Sequence, residues 1–147
     1  MMQQSEARFE VDGRGYRIKL RKDGDNVALR VDPDAKEEET TLGSVVSSFW
    51  TSHAEDLLES IQARTGMSLE GDVSFAYHEE YPDEVPPGVT VSEFGRSSTI
   101  SESTFARYVA EYGLAYMKAA SEIGLPPNES LRPKLLALRA RPSEPRP

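Results

Sequence analysis

The side chains with most chemistry to offer stand together in the segment YHEEYPDEVPPGV: His78, Glu79, Glu80, Asp83 and Glu84. An imidazole among carboxylates can hold a metal ion, but one strand end lacks the helical or hairpin spacing that fixes ligand geometry. Glu79 and Glu80 form an acid and base pair on paper, yet a loop offers no pocket to separate their pKa values. The remaining reading needs no reaction. Four carboxylates in six residues repel one another, and no cation nearby in sequence relieves them, so a fold that fixes this loop also fixes a concentrated negative field. The other histidine, His53, falls near the first turn of a predicted helix, where the positive dipole end disfavours its charged form and a structural role is expected. No GxSxG, P-loop, GxGxxG or HExxH pattern is present, and no serine has a neighbouring histidine to activate it. The expectation is a protein that is not an enzyme and needs neither metal nor cofactor.

The elements around the loop must position it. Alternating apolar runs, Val73-Phe75-Tyr77 and Val89-Val91, predict strands over 72–78 and 88–94. Pro82, Pro86 and Pro87 restrict the connection and deny it ladder donors, which predicts a stiff excursion with little entropy left to lose on binding. The following stretch, TISESTFARYVAEYGLAYM, predicts a helix over 102–123. Ser101 is its N-cap, Ile100 and Phe105 are placed for a hydrophobic staple, and Gly124 ends it. Tyr108, Tyr112 and Tyr116 recur every four residues. They read either as a seam at the core edge with hydroxyls reaching water, or as an aromatic part of a binding surface.

Upstream, period-two alternation over 8–32 predicts three antiparallel strands in a meander, turning at Gly13-Arg14-Gly15 and at Asp23-Gly24-Asp25-Asn26. One face of the middle strand carries Arg17, Lys19 and Arg21. That strip is a nucleic-acid contact without interleaved aromatics, or else a solvated face and a guard against edge pairing. Residues 32–41, DPDAKEEETT, read as an exposed connection. The segment LGSVVSSFW, 42–50, stands open between helix and strand. From Ser52 a helix over 53–65 is predicted by the Ser52 and Glu55 capping box and the Leu57, Leu58, Ile61 stripe, with a start as early as 42 left open. Asn128 or Ser130 caps a last helix through 139. The Pro-rich end, 141–147, is expected to be a disordered tail on one α+β domain of 1–140.

At 147 residues the chain can bury one ordinary core. It has no cysteine, no apolar run of membrane-spanning length and no apolar leader segment, so a cytoplasmic protein that avoids the membrane is expected. The formal net charge is -8, and residues 40–104 hold eleven acidic and two basic side chains. That middle would repel nucleic acid, whereas a basic protein partner matches it.

The block over 77–117, YHEEYPDEVPPGVTVSEFGRSSTISESTFARYVAEYGLAYM, resembles the C-terminal half of small bacterial immunity proteins of contact-dependent growth inhibition and related polymorphic-toxin systems. There an acidic, proline-containing loop leads to a Gly-Val strand and then to an I-S-E-x-x-F helix start rich in tyrosine. The resemblance implies a cytoplasmic protein that binds a basic toxin domain, such as a nuclease, and blocks its groove. In that reading Glu79, Glu80, Asp83 and Glu84 attract and orient the partner, and Tyr81 and Glu93 complete the patch. The alternative is a small acidic secretion-type chaperone, which would bind an effector segment as a dimer; the oligomeric state is open. Either way the expected fold is α+β: an antiparallel three-stranded meander plus a hairpin, with helices on one face.

Overall fold

The computed structural model describes residues 2–34, 40–69, 72–126 and 128–140. Of the exposed connection predicted over 32–41, Asp32 and Pro33 belong instead to a strand, with Asp32 buried, Thr41 opens a helix, and 35–39 lie outside the described residues, as do Glu70-Gly71 and the predicted tail over 141–147. Strands β1 (Met2–Val11), β2 (Arg14–Asp23) and β3 (Asn26–Pro33) form an antiparallel meander in that order. Its first turn falls one residue before the predicted one. Asp12 and Gly13 take φ of 50° and 82°, and Arg14 already pairs with Val11. Positive φ at both central residues matches the right-handed twist of a hairpin, and an Asp-Gly pair tolerates it.

Alternation sorts the two faces of this sheet. Ala7, Phe9, Val11, Ile18, Leu20 and Val31 are buried on the inner face. On the outer face Arg17 lies 3.6 Å from Asp34, Lys19 lies 3.2 Å from Asp32, and Arg30 Nε donates to Asp32 at 2.7 Å. Asp32 is consequently only 1% exposed on the solvent side of a sheet. The Arg17, Lys19, Arg21 strip therefore lies on the central strand, where it guards no edge, and two of its cations are paired with neighbouring carboxylates.

The segment 42–50 is helix. Helix α1 runs Thr41–Ala63, with Thr40 Oγ1 accepting from the Gly43 N–H at 3.0 Å. Val45, Val46, Phe49 and Trp50 are all buried, and that tertiary burial overrides the indifferent helix propensity of a Ser and Val run. The Ser52 and Glu55 box does not begin the helix but sits at a kink, where His53 leaves helical geometry at φ -136° and ψ 33°. His53 is thus mid-helix, away from the N-terminal dipole end that the sequence suggested.

Strands β4 (Met67–Leu69), β5 (Val73–Tyr77), β6 (Val89–Glu93) and β7 (Arg96–Ile100) form a second antiparallel sheet in chain order. The predicted hairpin is its centre, widened by the three-residue β4 and by β7, whose sequence carries no apolar alternation. The α+β class holds, with two sheets. Helix α2 (Glu102–Glu122) starts at Ser101, whose Oγ accepts from the Thr104 N–H at 3.1 Å, and packs on β1 and β2. Helix α1 lies against β3 and against β5 and β6, and α3 (Arg132–Arg139) packs on α2. One contiguous buried cluster joins both sheets. Phe75 meets Phe105 at 5.1 Å, and Trp50 meets Tyr112 at 5.6 Å.

The tyrosine series belongs to this core. Tyr108 and Tyr112 are fully buried, and the Tyr112 hydroxyl donates to Ser47 Oγ at 2.9 Å instead of reaching water. Tyr116 alone stays partly exposed. Among the described residues, no helix is long and apolar enough to cross a membrane.

Candidate functional site: the acidic loop between β5 and β6

The loop over 78–88 leaves β5 through a 3₁₀ turn at His78–Glu80. The His78 N–H donates to the Gly88 carbonyl at 3.1 Å, which closes the loop at its base. The His78 ring spans it, Nδ1 lying 2.6 Å from the Val85 carbonyl. A carbonyl oxygen only accepts, so Nδ1 carries the proton. Within the loop the Glu84 and Val85 N–H groups donate to the Tyr81 carbonyl at 3.0 and 2.8 Å. Gly88 has φ of 109°, and a Cβ there would stand 2.3 Å from the Ile100 carbonyl oxygen, so only glycine fits against β7. These bonds fix the excursion that the three prolines restrict.

The structure divides the carboxylates that the sequence groups. Glu80 reaches back so that one oxygen, Oε1, accepts from the Tyr77 N–H at 2.9 Å and from the Gly66 N–H at 2.8 Å. It holds the loop to the β4 approach. Glu79 lies 2.7 Å from Arg64, whose Nε and second amino nitrogen also grip Glu102 in a bidentate pair. The backbone N–H of Glu79 and the Arg64 guanidinium together hold the Glu79 carboxyl below its usual range, against the opposing effect of burial. The Glu102 and Glu79 hydrogen bonds raise Arg64 in turn. Arg64 is therefore the cation that relieves the cluster, fifteen positions upstream. It sits at the C-cap of α1 with φ of 56° and ties α1, the loop and the start of α2 together. No motif in the sequence marks it.

Glu93 is also engaged. It accepts from Ser44 Oγ and lies 3.2 Å from Arg96, with its side chain only 12% exposed. Its position at the far end of β6 is about 14 Å from the loop at the strand rise of roughly 3.4 Å per residue. Tyr81, Asp83 and Glu84 remain at the surface. Tyr81 is 54% exposed, and neither Asp83 nor Glu84 has an ion-pair or hydrogen-bond partner on its side chain among the described residues. Of the six residues expected to meet a partner, Glu79, Glu80 and Glu93 are tied to other groups of the chain, although Glu79 and Glu80 stay exposed, and the other three face water without such ties among the described residues.

Among the described residues no three His, Asp or Glu side chains converge on a metal site. A separate groove of about 510 Å³ opens between the meander and α1. Leu20, Val27 and Leu29 form one wall, Ser47 and Ser48 the other, and Tyr116 one end. Compared with family models, curated proteins and solved structures, the chain matches none.

Proposed function

We propose that the chain is a non-enzymatic immunity protein that binds and neutralises a basic toxin domain in the bacterial cytoplasm. A nuclease is the apt target, because a groove built for a polyanion is lined with cations. One observation carries the reading: among the described residues Asp83 and Glu84 have no side-chain partner, on a loop that internal hydrogen bonds already hold in place. The only two basic residues of the acidic segment 40–104, Arg64 and Arg96, are each engaged by glutamates of this chain. The field that leaves the loop is negative, and little ordering entropy opposes binding. Glu79 and Glu80 build the loop, while Tyr81, Asp83 and Glu84 make the contact.

The test takes its probe from the gene immediately upstream of this chain's: the reading expects it to encode an exported protein with a basic C-terminal domain, and an upstream gene that encodes none counts against the reading. Asp83→Lys with Glu84→Lys should slow association about tenfold or more at low salt, and the difference should shrink as salt rises. Association rates that ignore both the reversal and the salt would refute the reading. The groove beside α1 favours a second reading, a dimeric chaperone that takes up an apolar segment. Light scattering that finds a monomer would exclude it.

A further inference from the structure

Phe94 is 72% exposed, the most exposed large apolar side chain among the described residues. Glu93 pairs with Arg96, which makes Phe94 and Gly95 a two-residue hairpin loop, with φ of 45° and 84°. The first position of such a loop ordinarily holds Asn, Asp or Gly, because bulky side chains clash at positive φ. A phenyl ring there is disfavoured twice, by backbone strain and by contact with water. Nothing in the described fold compensates: the ring joins none of the aromatic pairs. The tip is nevertheless fixed, since the Phe94 N–H donates to the Asp72 carbonyl at 3.0 Å.

We propose that Phe94 is the apolar anchor of the interface with the basic protein partner. The interface is the outer face of the four-stranded sheet, running from Phe94 at one end to Tyr81, Asp83 and Glu84 at the other. This inference rests on the proposed function. The strand register aligns Ser68, Ser74, Ser92 and Ser97 across all four strands of that face, with Thr90 and Thr99 in the next row. No cation lies in these rows to repel a basic partner, and no side chain is longer than threonine to hold it off. An interface of standard size, about 800 Å² per partner, reaches both ends of five-residue strands. The unpaired carboxylates set the sign of the partner's charge and speed its arrival. The buried ring then sets how long it stays, as aromatic anchors do.

The test compares Phe94→Asn with the Asp83→Lys, Glu84→Lys double variant, against the basic C-terminal domain that the proposed function expects the upstream gene to encode. Phe94→Asn suits the turn better, so its Tm should rise by about 2–4 °C. Its complex should dissociate at least about tenfold faster, or about 1.4 kcal/mol, with association unchanged. Dissociation within about twofold of the wild type would overturn the anchor, even where the charge reversal still slows association and the proposed function stands. A lower Tm for Phe94→Asn would overturn the strain argument. Failure of the wild type to bind, or association indifferent to the charge reversal, removes the proposed function and the anchor with it.

Discussion

Replacing Glu80 by alanine separates a carboxylate that builds the loop from one that meets a partner. The change removes one oxygen that accepts from two backbone N–H groups, Tyr77 at 2.9 Å and Gly66 at 2.8 Å. Hydrogen bonds to a charged acceptor contribute about 1.5–3 kcal/mol each when water is excluded. Glu80 is exposed, so solvent competes, and the loss expected for the pair is about 1–2 kcal/mol. With a urea m-value of about 2 kcal/mol/M, the midpoint should fall by roughly 0.5–1 M at unchanged slope. Glu80→Gln keeps a neutral oxygen in place and should recover about half of the loss. Amide exchange at Tyr77 and Gly66 should quicken in the alanine variant, while Asp83→Lys should leave both amides unchanged. An unchanged urea midpoint for Glu80→Ala, together with slower partner association, would refute this division of labour.

Two further outcomes follow from the core and from the outer face of the meander. Burial alone pushes the Asp32 carboxyl up, but hydrogen bonds from Arg30 and Lys19 outweigh it and hold the group below the usual carboxylate range. A depressed folded pKa contributes stability that is present above the unfolded value and lost as pH falls through the folded one. Asp32→Asn should therefore cost about 1–3 kcal/mol at pH 7 and flatten the acid limb of the urea midpoint below about pH 4. A limb of unchanged steepness would count against the account. In α2 a Cβ on Gly113 would stand 2.6 Å from Leu135 Cδ2 and 2.7 Å from Trp50 Cη2. Gly113→Ala gains up to about 1 kcal/mol in helix propensity but overpacks by about 1–3, for a net loss of about 0.5–2 kcal/mol. A higher urea midpoint would show that α3 yields freely.

How much of this was legible beforehand depended on range. Period-two runs over Phe9–Val31 and Val73–Val91 located strands because one buried face dictates alternation. Ser101 and Phe105 located the start of α2 because caps act within one turn. Strand β7, RSSTI, escaped because its Ser and Thr residues are exposed on both faces and so have no apolar rhythm, and the three residues of β4 are too few to establish one. The Ser52 and Glu55 box misled for a related reason: a local capping signal cannot report that buried Val45, Phe49 and Trp50 carry the helix back to Thr41.

The candidate site divides in the same way. Composition and order alone determined that four carboxylates occupy one proline-bound loop between two strands, because charge density and φ restriction are local properties of the chain. Only the tertiary structure decided which carboxylates are bonded within the chain. Arg64 reaches Glu79 from the end of α1, Glu80 turns back to the Gly66 and Tyr77 amides, and Glu93 closes on Ser44 and Arg96. Most of these partners lie many residues away, and an ion pair or a capped amide depends on distance in space, which the packing of α1 against the second sheet sets.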